Sequence, residues 1–419
     1  MGDATSRKQA AFAALLIGLA PVWMVLFPLD ITNDPLGWQI FVRVHSFALP
    51  VIQLMFVLIA MGIGFSPLIS ISRLPRLSKA AFIIWIALAT VVSFQAGKDH
   101  LSATIGLLKL LMAALFMLAL IDLRNLFGNR FLLILWISIG CGTLLYILLW
   151  TVHIQALSPR GEEWIVRIPG VNNVRHTGHF AFASVTAGLF CLLALRDSPQ
   201  ILLRWALPLL FGSVGLALSL WTGSRGPLLA CAITIIATFC IAVQQRRTVA
   251  IFFIGSALVA TTTVLLLPTP HKAYGIAGAT GIADVAVQSE HDASSGRGEL
   301  WTGTIAKIYE KPLLGWGINQ FDTFGPSRLL HPHNLPLQMM FSGGIMSILL
   351  ITLILVPVLR HWQWPDWNGS SVAGVGCIVG MLAYSMYDGA LFFSYPTMIF
   401  LIAIATSVKS PEELTSADR

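Results

Sequence analysis

Charge is what this sequence has least of. Asp, Glu, Lys and Arg make up 11% of its 419 residues, where a soluble domain carries about 25%, and that shortfall excludes an ordinary water-soluble globule. Carboxylates are scarcer than cations, 19 against 26. There is no acidic D-x-D pair, no Gly-rich P-loop and no dinucleotide fingerprint. A carboxylate-held Mg²⁺ or a nucleotide cradle therefore lacks evident ligands, and no cofactor is expected. The five cysteines, Cys141, Cys191, Cys231, Cys240 and Cys377, sit in apolar stretches without metal-type spacing. They read as small core hydrophobes, and a disulfide framework is not expected.

What fills the chain instead is apolar: 56% of residues are hydrophobic. Twelve stretches approach the roughly 17–25 apolar residues that a bilayer span needs. They lie near Ala10–Phe27, Phe47–Gly64, Ala80–Gln95, Ala103–Ile121, Phe131–Trp150, Thr177–Leu195, Trp205–Trp221, Pro227–Val243, Val249–Leu267, Leu335–Leu359, Ser371–Tyr387 and Leu391–Val408. The fold class implied is an all-α polytopic membrane protein of about 12 transmembrane helices, one integral membrane domain over residues 1–419. Arg7 and Lys8 precede the first stretch like the n-region of a signal peptide, but Pro21 and the bulky residues after it stand where a small-residue cleavage site belongs, so the span is read as retained.

The net charge of +7 would suggest nucleic acid in a soluble protein, but here its distribution matters more than its size. Arg73, Arg76 and Lys79, then Arg124 and Arg130, Arg196 and Arg204, Arg246 and Arg247, and Arg360 fall on alternate connections, with Lys409 on the tail. This is the positive-inside bias and puts both termini in the cytoplasm, with no nucleic-acid partner. Residues 28–43 and 98–100 then make brief outer connections, and the polar tail 409–419 is cytoplasmic. Lys109 lies inside the fourth stretch, where a lone lysine either snorkels to an interface or lines a polar cavity.

Three outer segments carry titratable and cationic residues. Residues 151–176 mix Arg160, Arg167 and Arg175 with Glu162 and Glu163, either as a solvated, self-paired loop or as a place where Arg175, His176 and His179 help bind an anion. The turn Thr222-Gly-Ser-Arg-Gly-Pro227 puts Arg225 at a helix N-terminus on the outer side, where a basic residue opposes the topology rule and exposed amides favour an anion. The long loop 268–334 begins with small, polar residues from Gly275 to Gly296 that offer no packing face and read as mobile. Beyond Arg297, Leu300, Trp301, Ile305 and Ile308 recur at near-helical spacing and suit a helix on the membrane surface. His331 and His333 then stand just before the span at Leu335, too few ligands for a zinc site. Ionisable groups gathered at the lip of a membrane mark a functional site. Planar guanidinium forks suit phosphate or diphosphate, and an imidazole such as that of His333 can take a proton from an attacking hydroxyl. Together these groups would support glycosyl transfer from a lipid diphosphate.

Thr222-Gly-Ser-Arg-Gly-Pro227, Ser295-Gly-Arg-Gly-Glu-Leu-Trp301 with Pro312-Leu-Leu-Gly-Trp-Gly317, and His331-Pro-His-Asn334 followed by Gly343-Gly344 resemble the successive motifs of the O-antigen ligase and polymerase superfamily over residues 205–344. The resemblance implies a metal-independent, inverting glycosyltransferase of C-class fold in the bacterial inner membrane. It would use an undecaprenyl-diphosphate-linked glycan donor at the periplasmic face. It gives Arg225 and Arg297 the diphosphate-binding roles and His333 the catalytic one. Asp388 matches an acidic residue of the penultimate outer loop in ligases, or is a helix-terminal charge; Arg175, His176 and His331 are accessory candidates. Counting from Gly344, Ile348 stands where ligases carry a small or aromatic residue. The acceptor is lipid A-core for a ligase, a lipid-linked glycan for a polymerase, or a protein hydroxyl. A lipid-linked glycan transporter would predict internal repeats, and none is evident.

Overall fold

The computed structural model describes residues 4–26, 35–95, 97–157, 174–267, 269, 274–280, 297–327, 329–360 and 369–407, with backbone alone at 25–26, 35–47, 153–157, 174–175 and 356–360. The protein is an all-α polytopic membrane protein, without strands among the described residues. Its helices are α1 (Ala4–Gly18), α2 (Ala20–Leu26), α3 (Pro35–Ile63), α4 (Pro67–Arg73), α5 (Arg76–Gln95), α6 (His100–Phe127), α7 (Asn129–Leu157), α8 (Gly178–Ala194), α9 (Leu207–Trp221), α10 (Arg225–Ile241), α11 (Arg246–Leu266), α12 (Gly275–Thr280), α13 (Arg297–Glu310), α14 (Phe321–Phe324), α15 (Leu335–Arg360), α16 (Ser371–Asp388) and α17 (Ser394–Ser407).

Among the described residues seven helices are long and apolar enough to cross a membrane, or eight if α3 and α4, bent by 89° at their junction, make one broken span. The remaining apolar stretches from the sequence fall on α8, α10 and α17, which are shorter helices, and on the pair α1–α2. One boundary moved substantially: α3 begins at Pro35, inside the segment read as a loop over 28–43, because proline is pre-set for the first helical turn.

The bundle is arranged around α8. From Gly178 to Leu193 every residue of this helix is buried, as befits a helix apolar on all sides, and it packs on α7, α9, α10 and α16. Small residues set one close crossing. Gly376 and Gly380 of α16 lie against Thr238 and Thr234 of α10, leaving no room for a Cβ, the small-residue packing that lets membrane helices close without a hydrophobic drive.

Helix α15 is broken at Gly344, whose φ of 61° and ψ of −164° are not helical. The turn 312–317 occupies the gap. Trp316 and Gly317 N–H donate to the Phe341 and Ser342 carbonyls at 2.8 and 2.9 Å, and Ile345 and Met346 N–H donate to the Pro312 and Leu313 carbonyls at 2.9 and 3.2 Å. Backbone freed by the break is thus satisfied by protein, as a membrane demands. Gly315 and Gly344 both have positive φ, and a Cβ on either would run into the other segment's backbone. The residues that follow this turn are tied to the end of α5 and the start of α6: Ser93 Oγ accepts from Ile318 N–H at 2.9 Å, Gln320 Oε1 accepts from Lys98 N–H at 3.2 Å, and Asn319 Nδ2 donates to Ser102 O at 3.1 Å.

Candidate functional site

A helix, α13, forms where the spacing expects one, but its inward face is Leu300, Thr304 and Ile308, while Ile305 is 42% exposed. Trp301 docks the helix by donating from Nε1 to the Pro332 carbonyl at 2.9 Å, which sets Arg297, at its N-terminus, beside the 331–334 turn. That turn is clamped to the end of α16. Asn334 Nδ2 donates to Met386 O at 2.9 Å while its Oδ1 accepts from Leu337 N–H at 3.0 Å, capping α15. Gly389, in the left-handed region, ends α16. A Cβ there would stand 2.8 Å from His331 Nδ1 and 3.2 Å from His333 Cα.

These supports bring Arg297, His333 and Asp388 together. An Arg297 guanidinium nitrogen lies 3.1 Å from Asp388 Oδ1, and His333 Nδ1 faces the same oxygen at 3.4 Å, without hydrogen-bond alignment. Arg297 also lies over the Tyr387 ring, 4.4 Å from its centroid. His333 has φ of 54°, a left-handed conformation that costs a non-glycine residue about 1–3 kcal/mol and recurs at functional sites. A cleft of about 380 Å³ opens beside Arg297, Glu299, Leu329 and His333, within the range of about 300–1,000 Å³ for small-molecule sites.

His331 lies behind His333. Its Nδ1 accepts from the His333 N–H at 3.2 Å, which leaves the ring proton on Nε2, and its ring stacks on Phe392 at 4.3 Å. Burial, with His333 adding to it, pushes His331 well below its ordinary pKa, so it stays neutral. His176 is lowered to about 4, by burial first, with Asp388 opposing and His333 reinforcing. It stacks on His179 at 5.6 Å and packs on Phe393 at 4.9 Å. These two imidazoles give the site an uncharged aromatic wall.

Arg225 approaches from another side. It starts α10, is exposed, and its Nε donates to the Gly278 carbonyl of α12 at 3.2 Å. The next residue, Gly226, abuts the Tyr384 ring and Asp388: a Cβ there would be 2.8 Å from Tyr384 Cε2 and 3.5 Å from Asp388 Oδ2. The first turn of α10 is therefore at the site, with the Arg225 guanidinium turned to α12. That corrects the reading of residues 275–296 as a segment with no packing face. Residues 275–280 form a helical turn against α9 and α10, because Gly275 and Gly278 allow close approach. Residues 281–296 lie outside the described residues, as do Arg160, Glu162, Glu163 and Arg167, the side chain of Arg175, and the tail 409–419.

Sequence reasoning missed Tyr387, Phe392, Phe393 and Gly389, which shape the site. The one local signal was their sequence proximity to Asp388. No group of three His, Cys, Asp or Glu among the described residues is placed to hold a metal ion.

With this geometry in view, residues 207–352 match the O-antigen ligase family. The matched segment contains all the motifs that carried the resemblance, from Thr222 to Gly344, and the resemblance to the superfamily is borne out there. That match supports glycosyl transfer of ligase or polymerase type, with lipid-linked glycans as substrates in general. Among curated proteins nothing matches the chain.

Proposed function

We propose that the protein transfers a glycan from an undecaprenyl-diphosphate-linked donor to the hydroxyl of lipid A-core, as an O-antigen ligase at the periplasmic face of the inner membrane. The observation that carries this reading is the union of Arg297, His333 and Asp388 beside one cleft at the end of an apolar helix bundle. The acceptor oxygen attacks the anomeric carbon opposite the diphosphate and gives its proton to His333 Nε2, the ring nitrogen not facing Asp388. The bond from that carbon to the diphosphate oxygen breaks, its electron pair leaves with the diphosphate, and configuration inverts. Asp388 steadies the imidazolium through Nδ1. Arg297, with Arg225 from the first turn of α10, neutralises the growing negative charge. Guanidinium charge fills the role that a metal ion plays elsewhere, which supports a metal-independent reaction. The neutral rings of His176 and His331 keep the surroundings dry and hold His333 in place.

Purified protein, given a polyprenyl-diphosphate glycan and lipid A-core in EDTA, should yield glycosylated lipid A-core, and His333→Ala should yield none. Lengthened lipid-linked glycan with untouched lipid A-core would make the enzyme a polymerase. Undiminished transfer by His333→Ala would remove the proposed base.

A further inference from the structure

A second concavity, mostly apolar with a few polar groups, opens among the helices. It offers about 220 Å³ between α3, α5, α6, α15 and the start of α17, and its polar lining is Lys109 with Gln53, Asn319, Gln338, Ser342 and Ser347. Phe392 belongs to both places: it lines this cavity, and its ring stacks on His331. Nothing in the proposed transfer uses Lys109.

An ammonium in an apolar span is costly and needs a reason. Lys109 sits in the 28-residue helix α6, about 13 Å from its His100 end at ~1.5 Å per residue. Helical side chains lean toward the helix N-terminus, which for α6 is the His100 end. Lys109 is half-buried, and one turn earlier Gly106 lies under Ile318 and Asn319, where a Cβ would be 2.9 Å from Asn319 Nδ2. Among the described residues no hydrogen bond or ion pair reaches Lys109. A second polar group shares the deficit. Gln338 Nε2 donates to Ser342 Oγ at 2.9 Å, but Gln338 Oε1 is buried with no donor. The cavity thus presents one unmatched cation and one unmatched acceptor, with serine hydroxyls that can donate.

We propose that this cavity binds the headgroup of a membrane lipid that carries a phosphodiester and a free hydroxyl, of the phosphatidylglycerol type. Lys109 and the Ser347 hydroxyl meet the phosphate, and Gln338 Oε1 accepts from the headgroup hydroxyl. Leu110, Ala113 and Ile351 flank the first carbons of the lipid chains. The site is separate from the arginines assigned to the donor and does not depend on the catalytic reading. A lipid held there touches the wall behind His331 through Phe392.

The test uses the full-length protein, delipidated in detergent, with thermal unfolding and native mass spectrometry as readouts. Phosphatidylglycerol should raise Tm and remain bound, whereas phosphatidylcholine and diacylglycerol should do neither. Lys109→Met, which keeps the stem and removes a costly charge, should weaken phosphatidylglycerol binding about tenfold or more, and Lys109→Arg should retain it. Equal binding by Lys109→Met overturns the proposal, as does equal binding of phosphatidylcholine to the unaltered protein. Equal protection by inorganic phosphate overturns the lipid and leaves a site for the free anion. The lipid comparisons on the unaltered protein stand even if a variant fails to fold.

Discussion

At the scale of the residue, the site is a shared charge. One carboxylate oxygen of Asp388 serves both the Arg297 guanidinium and the His333 ring, so the three side chains act as a unit. Asp388→Asn should lower kcat by about 10²-fold or more, the scale of general acid–base assistance, and leave membrane insertion intact; kcat within twofold of the unaltered enzyme would show that Asp388 does not support His333. Arg297→Lys should recover only part of the donor affinity lost in Arg297→Ala, because a point charge lacks the fork. Titration of donor binding checks this, and full recovery would count against bidentate contact. His176 makes a pH prediction. Free histidine titrates near 6.5 and folded His176 at about 4, so the unfolded chain takes up a proton first as pH falls. Stability is therefore whole above about pH 6.5 and declines toward pH 4. His176→Gln should flatten the fall of Tm over that window. Arg297 and His333 were legible from the sequence because cations at a membrane lip are conspicuous. Phe392 and Phe393 were not, since aromatic residues beside an apolar span look like more of the span.

At the scale of the element, glycines decide what fits. The reciprocal hydrogen bonds between the 312–317 turn and the break in α15 use backbone alone, so Leu313 and Leu314, both exposed, should accept many side chains, whereas Gly315 and Gly344 should accept none. Gly344→Ala should cost about 2 kcal/mol or more, combining left-handed strain with a collision at Leu313. Measured by unfolding in detergent, Gly315→Ala and Gly344→Ala should combine less than additively, since each opens the same joint. Hydropathy located the apolar helices, because a bilayer's thickness leaves little choice of length. It did not reveal the break at Gly344: two glycines inside an apolar run read as close packing until the partner turn, contributed by distant residues, is known.

At the scale of the whole molecule, the expected topology can be checked without activity. In a cysteine-free background, a cysteine replacing Ser327 in the cleft should react with a membrane-impermeant maleimide in intact cells, and one replacing Ser198 only after permeabilisation. Labelling of both from outside would refute the inside-out assignment of the arginine-bearing connections. The alternation of those arginines was readable because it is a property of the chain order. The convergence of α8, α10, α13, α15 and α16 on one site was not, because it depends on which helices touch. That convergence bears on modular exchange. The match to the O-antigen ligase family ends at residue 352, yet the carboxylate that engages Arg297 and His333 sits at Asp388, and the helical crossing that holds α16 relies on Gly376 and Gly380. A chimera that swaps residues 207–352 alone would ask one protein's histidine to work with another's acid. The unit that can be transplanted whole runs on through α17, well past the edge that sequence similarity draws.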